Sequence, residues 1–154
     1  MAEQDWQTRT LAYFTARHCS PQWHDFVSVL VEELFGSVGE EDAKAFMHHL
    51  GANLARRHPL PELDTVEALE AGINTCWHSM DWGWCRLRAG ENGVRIIHGA
   101  WPMVVASDDR WPQALAMVLE GAYSTWLRAQ GGGNVPVRRM RMEVGQPMEF
   151  IYGA

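Results

Sequence analysis

Cys76, His78 and Cys85 come nearest to a metal set in this 154-residue chain, because thiolate and imidazole are the ligands that zinc prefers. Zinc signatures pair their ligands at short loop spacings and close the site with four, and here a fourth is missing. Cys76 and His78 stand two apart on a helical pattern, so they point away from each other and fit separate roles. His48-His49 fails as a ligand pair for the same reason: neighbouring helical residues diverge by about 100 degrees, which places one of the two at solvent. His98 closes a strand beside a proline-containing loop, a place where function often sits. With no Ser, Cys or carboxylate at recognisable spacing, it reads as a strand-end histidine whose hydrogen bonds are satisfied.

Paired carboxylates would suit a glycosidase, which needs two acids about 5 to 10 Å apart across a sugar cleft. Glu32-Glu33 and Glu40-Glu41-Asp42 lie where solvated helix faces and helix N-termini ordinarily place acids. Asp108-Asp109 falls in a loop, and Glu120 stands out because it follows the apolar Val118-Leu119 and precedes a glycine. If it were catalytic, Glu120→Gln would abolish release of reducing sugar from cello-oligosaccharides. Eight tryptophans are many for this length. Trp82 and Trp84 would share one face of a strand, either as a platform for glucose rings or, the favoured reading, packed in the core.

These residues need elements to hold them, and the apolar periodicity supplies five helices and four strands. Trp6, Thr10, Tyr13, Phe14 and Arg17 recur at helical spacing before Ser20-Pro21. Their aromatic stripe fits packing against another subunit better than closure of the chain's own core. Pro21 starts a second helix with an apolar face of Trp23, Phe26, Val27, Leu30, Val31 and Leu34, ended by Gly36 and Gly39. A third runs from Glu40 to Arg57, its acidic start and basic finish matching the helix dipole, and stops at His58-Pro59. Asp64-Thr65-Val66-Glu67 has the form of a capping box with Asp64 as cap, and Val66, Leu69, Ile73, Trp77 and Met80 form the buried face of a fourth.

After Met80 the period changes from 3.6 to 2. Trp82, Trp84, Arg86 and Arg88 alternate with Gly83, Cys85 and Leu87, Asn92-Gly93 supplies a hairpin turn, and Val94 to His98 returns. Pro112 starts a fifth helix with Leu115, Val118, Leu119, Ala122 and Trp126 on its face, broken by Gly131-Gly132-Gly133-Asn134. Val135 to Val144 and Met148 to Tyr152, around Gly145-Gln146-Pro147, predict a second hairpin. The expected architecture is therefore α+β, five helices with two antiparallel hairpins in a single domain spanning residues 1–154, residues 1–20 being an N-terminal helix at an oligomer interface.

The net charge of −6 would repel a phosphate backbone, which speaks against nucleic acid, whereas a neutral sugar polymer would be indifferent to it. Three cysteines without framework spacing suit a reducing compartment. The first twenty residues carry charges among aromatics and no continuous apolar stretch, so neither a secretory signal nor a membrane anchor is expected and the default location is cytoplasmic. No cofactor and no metal is expected.

Trp82-Gly83 after a long helix, Leu87, Val94-Arg95-Ile96-Ile97-His98 and Pro102 begin a pattern that continues with Trp111, Val118-Leu119-Glu120-Gly121-Ala122-Tyr123, Trp126 and Gln130-Gly131. From about Leu50 to Gly131 this resembles the D subunit of the bacterial cellulose synthase complex, the cellulose synthase operon protein D family, departing from the pattern at Asp81 and in both terminal segments. The resemblance implies a non-catalytic α+β protein that assembles into a cylinder, an octamer of four dimers, associated with export and ordering of nascent β-1,4-glucan. It further implies a peripheral place on the cytoplasmic side of the inner membrane, and partners among other synthase subunits and a Pro-rich accessory protein. Trp82, Gly83, His98, Glu120, Gly121, Tyr123 and Trp126 are its motif residues. Trp6, Tyr13 and Phe14 are where glucan or subunit contacts are to be sought. A looser likeness, of the element order and of Val144-Gly145-Gln146-Pro147-Met148-Glu149-Phe150, is to the small-molecule-binding domain named after 4-vinyl reductase, which implies a regulatory alternative.

Overall fold

In the computed structural model the structure describes residues 7–11, 13–14, 19–104, 110–140, 142–143 and 146–153. Helix α1 covers residues 7–11 and 13–14, α2 Pro21–Val38, α3 Glu40–Arg57 and α4 Val66–Met80. Strands β1 (Trp84–Gly90) and β2 (Gly93–Gly99) follow, then α5 (Arg110–Ala129), β3 (Val137–Arg139) and β4 (Met148–Tyr152). The fold is thus the expected α+β arrangement of helices and two antiparallel hairpins. Both hairpins belong to one sheet of order β1-β2-β4-β3, because β4 pairs with β2.

The local grammar differs from the expectation in four places. Thr65, not Asp64, is the N-cap of α4: its extended backbone lets the side-chain oxygen accept from the Ala68 N–H. Helix α2 runs through Gly36 to Val38, and the break falls at Gly39, whose φ of 86° an L side chain rarely adopts. The first hairpin turns on Glu91-Asn92, one residue earlier than the Asn-Gly dipeptide suggests, since Gly93 already pairs with Gly90. The second hairpin is the largest difference. Strand β3 is only Val137–Arg139; the Met140 N–H still donates to Glu149 O, but Met140 is 54% exposed, and Met142 packs against the core from outside the ladder rather than as a further strand residue. Val144 and Gly145 lie outside the described residues.

One face of the sheet is buried. The cross-strand rows Leu87–Ile96–Phe150 and Cys85–His98–Met148 point inward, and all six side chains are buried beneath α4 and α5. A smaller apolar cluster, Val31, Met47, Ala114 and Val118, joins α2, α3 and α5. Helices α3 and α5 come into backbone contact: a Cβ at Gly121 would sit 2.0 Å from the His48 carbonyl oxygen, and one at Gly51 1.8 Å from that of Val118. Only glycine permits that spacing at both positions.

Candidate functional site

Most of the motif residues converge on one buried cluster around Trp77, a residue the sequence pattern places only on the buried face of α4. Trp77, fully buried, stacks on Trp82 with ring centroids 5.9 Å apart and meets His98, Tyr123 and Trp126 edge-on. Helix α4 ends at Asp81 in the left-handed conformation (φ 55°), and Gly83 follows at φ 88°, so Trp82 turns back over the core before β1 begins at Trp84. Trp82 and Trp84 therefore do not share a strand face. Trp82 is half-buried on Trp77, while Trp84 is 45% exposed on the outer face, its ring lying over Gly99. The core reading fails for Trp84.

The polar atoms of this cluster form a single chain. Trp77 Nε1–H donates to the Tyr123 hydroxyl (3.1 Å), which lies 2.5 Å from His98 Nδ1, and His98 Nε2 lies 2.8 Å from the Trp82 carbonyl oxygen. A carbonyl can only accept, so Nε2 carries the imidazole proton and Nδ1 accepts from the Tyr123 O–H. Burial holds His98 at a pKa of about 4, against a small opposing effect of the Trp82 carbonyl. Burial also pushes the Cys85 thiol, which lies against the same hydroxyl, up to about 12, and lifts Tyr123 well above the ordinary phenol range. All three are neutral at pH 7, and His98 is engaged on both nitrogens. The chain is built to fix geometry rather than to move protons.

The other motif residues fasten α5 to its surroundings. Trp126 Nε1–H donates to the His58 carbonyl at the end of α3 (2.9 Å). Gln130 accepts from the Leu63 N–H (2.9 Å) and donates to Pro61 O (3.0 Å), clasping the loop that leads into α4, and Trp111 donates to Pro102 O (2.8 Å). Glu120, the candidate acid, spends a carboxylate oxygen on the Arg139 N–H (2.7 Å); burial raises its pKa, opposed by that hydrogen bond and by the Arg139 guanidinium.

Glu120 is part of a device that sequence reasoning missed. Four residues on, Ser124 Oγ accepts from the Val137 N–H (3.3 Å), so one helix face holds two backbone donors on the outer edge of β3. At the opposite edge α4 does the same to β1. Glu70 accepts from the Leu87 N–H (2.7 Å), and Asn74 both accepts from the Cys85 N–H (2.7 Å) and donates to the Cys85 carbonyl (2.9 Å). Both edges are thus closed by an i, i+4 pair that begins with glutamate. Edge N–H groups left free would invite pairing with another chain. The only sequence signal is that spacing, visible once each helix is known to lie along an edge. Glu120→Ala removes the acceptor of the Arg139 N–H, a cost of about 0.5–1.5 kcal/mol, and accelerates hydrogen exchange at the Arg139 amide. Glu120→Gln retains an acceptor and most of the protection. Equal exchange in the Ala variant and the parent would show that the carboxylate does not hold the strand.

The remaining candidates are dispersed. Cys76 is buried while His78 is exposed, so they point apart, and among the described residues no three Cys, His, Asp or Glu side chains come together. His49 is exposed, and His48 is half-buried with its pKa lowered first by desolvation, then by Arg128 and His49. Glu32, Glu33, Glu40, Glu41 and Asp42 are all exposed, Glu40 pairing with Lys44. Asp108, Asp109 and Trp6 lie outside the described residues. Tyr13 and Phe14 are 56% and 62% exposed and, with Arg9 and Thr10, line a shallow depression of about 300 Å³ on α1. Helix α2 carries exposed apolar side chains of its own: Trp23, Phe26, Val29 and Leu30 are each more than half exposed. The wide apolar face that the sequence pattern gives this helix is therefore split, with Val31 buried, Val27 and Leu34 partly so, and the larger residues at solvent.

Residues 9–153 match the family model for the D subunit of cellulose synthase. A curated relative named cellulose synthase operon protein D, from Komagataeibacter xylinus, is 28% identical over 120 residues, 77% of each chain. A protein of the same name from Komagataeibacter sucrofermentans gives the same identity and coverage, and another from Komagataeibacter xylinus is 28% identical over 114 residues, 73% of each chain.

Proposed function

Because this chain belongs to the cellulose synthase D-subunit family, we propose that it is a non-catalytic accessory subunit of a bacterial cellulose synthase complex, assembling into a ring-like oligomer that orders nascent β-1,4-glucan during export. The observation that carries this reading is the apolar surface of α1 and α2. Trp23, Phe26 and Leu30 at 53–58% exposure, with Leu11, Tyr13 and Phe14 exposed on α1, are large apolar side chains available to a partner. A second copy is the occupant that buries them, and rings follow from repeating such contacts. Residues 1–20 belong to that interface and, with Trp6, Tyr13 and Phe14, supply the aromatic surface that an uncharged glucan would slide past.

A guide of this kind needs no catalytic group. Its partners are itself, other subunits of the synthase complex, the glucan and a Pro-rich accessory protein, and its place is peripheral, on the cytoplasmic side of the inner membrane. Among the described residues no helix is long and apolar enough to cross a membrane. Light scattering coupled to gel filtration tests the assembly: about eight protomers are expected for the parent chain. A doubly substituted Phe26→Asp, Leu30→Asp chain is expected as a folded smaller species. A parent chain that stays monomeric at working concentration overturns the reading.

A further inference from the structure

The outward face of the sheet carries a charge that runs against the rest of the chain. Its outward positions bear Arg86, Arg88, Arg95 and Arg138 with a single acid, Glu149, in a protein of net charge −6. The register sets Arg88, Arg95, Ile151 and Arg138 in one cross-strand row, and Arg86, Ile97 and Glu149 in the next. All four outward arginines are exposed, and Ile97 and Ile151 are half-buried between them. Among the described residues Glu149 is the acid that meets this set, at Arg95.

Arg88 directly opposite Arg95 is a like-charge pair, which costs a sheet stability rather than adding to it. Glu149 offsets this at Arg95 alone, so an anionic partner laid over Arg86, Arg88 and Arg138 would relieve the rest. Guanidinium groups mixed with branched aliphatics and the exposed Trp84 have the composition of a protein–protein contact, and the overall negative charge disfavours a phosphate backbone. The same face of a second copy placed across a two-fold axis would set arginine against arginine. Strand addition is closed off as well, because Glu70 and Asn74 at one edge and Glu120 and Ser124 at the other occupy edge donors.

We propose that the outer face of the sheet docks an extended acidic segment of a partner protein, laid across the strands, with carboxylates on Arg86, Arg88 and Arg138 and apolar side chains on Ile97 and Ile151. Four strands span about 15 Å, so roughly five extended residues cover the face. This inference stands apart from ring assembly, and the two fail separately.

The probe is a fluorescein-labelled peptide of about ten residues alternating glutamate with leucine, compared with its glutamine counterpart by anisotropy at about 50 and about 300 mM salt. The parent chain is expected to bind the glutamate peptide at least about tenfold more tightly than the glutamine peptide, with the difference shrinking at the higher salt. Both R86E/R88E/R138E and the milder R86Q/R88Q/R138Q chains are expected to lose that preference while keeping the parent's circular dichroism and oligomer size. Equal affinity for the two peptides, or a preference that survives in both triple variants, overturns the proposal. Displacement of the peptide by cellohexaose in the parent but not in Trp84→Ala assigns the face to neutral sugar and overturns it too. Dissociation of the oligomer in the triple variants instead makes the face a contact between copies, with the same consequence.

Discussion

Gly121→Val lowers the thermal midpoint by about 6–12 °C, the largest effect expected of any single substitution in the motif. A Cβ at this position would lie 2.0 Å from the His48 carbonyl oxygen and 3.0 Å from the Ala52 nitrogen, both main-chain atoms of α3. Backbone cannot rotate away as a side chain can, so the helices must separate. Separation opens the contact that Gly51, Ala52, Ala55 and Val118 make between α3 and α5. Overpacking of this kind costs typically 1–3 kcal/mol and occasionally more, and for a chain of this size each kcal/mol is about 2–4 °C. Gly36 is the internal control: it also lies inside a helix, nothing stands within 4 Å of its added Cβ, and Gly36→Ala is expected to raise stability by about 0.5–1 kcal/mol. Differential scanning calorimetry at one fixed protomer concentration compares the two, because assembly itself shifts the midpoint. A Gly121→Val chain that melts with the parent would mean that α3 and α5 do not approach as described.

The contrast between those glycines shows what was legible in the sequence. Periodicity locates α3, α4 and α5 within a residue or two, because an apolar stripe at 3.6 spacing is a local property of the chain. It equally locates β1 and β2. What periodicity cannot report is which of two like residues meets a neighbour: Gly36 and Gly121 both look like helix flaws, and only the partner helix separates them. The same limit explains Trp82 and Trp84, two apart yet on opposite sides of the sheet, because a left-handed Asp81 and the positive φ of Gly83 reset the direction between them. It explains β3 as well. Alternating residues on both sides of Met140 imply a strand, but a strand lasts only while its neighbour continues, and β4 begins at Met148. Glu120 stands out in the sequence for sitting beside apolar residues, and that oddity is real, but its cause is an edge-strand amide contributed from 19 residues further along the chain.

Acidification should destabilise the fold through His98 in a window set by its two pKa values, about 6.5 when unfolded and about 4 when folded. Burial depresses the folded value, so between those limits the unfolded chain binds a proton that the native chain refuses, and stability rises with pH. The His98 contribution is therefore complete above pH 6.5, is lost progressively as pH falls toward 4, and amounts to about 3 kcal/mol across the window. The geometry gives the reason in atoms. A proton on Nδ1 would face the Tyr123 O–H that now donates to it; the hydroxyl would have to turn away, and a cation would sit beneath the stacked rings of Trp77 and Trp82 without a carboxylate. Urea unfolding measured from pH 7.5 to 4.5 at fixed protomer concentration is the test, with His98→Gln as comparison. The variant starts from a lower stability, since it breaks the chain of hydrogen bonds, but its loss on acidification to pH 4.5 is smaller than the parent's by about 2.5 kcal/mol. Carboxylates such as Glu120 titrate in both chains and cancel in the difference. Parallel curves would place the acid sensitivity elsewhere and leave the buried histidine as packing alone.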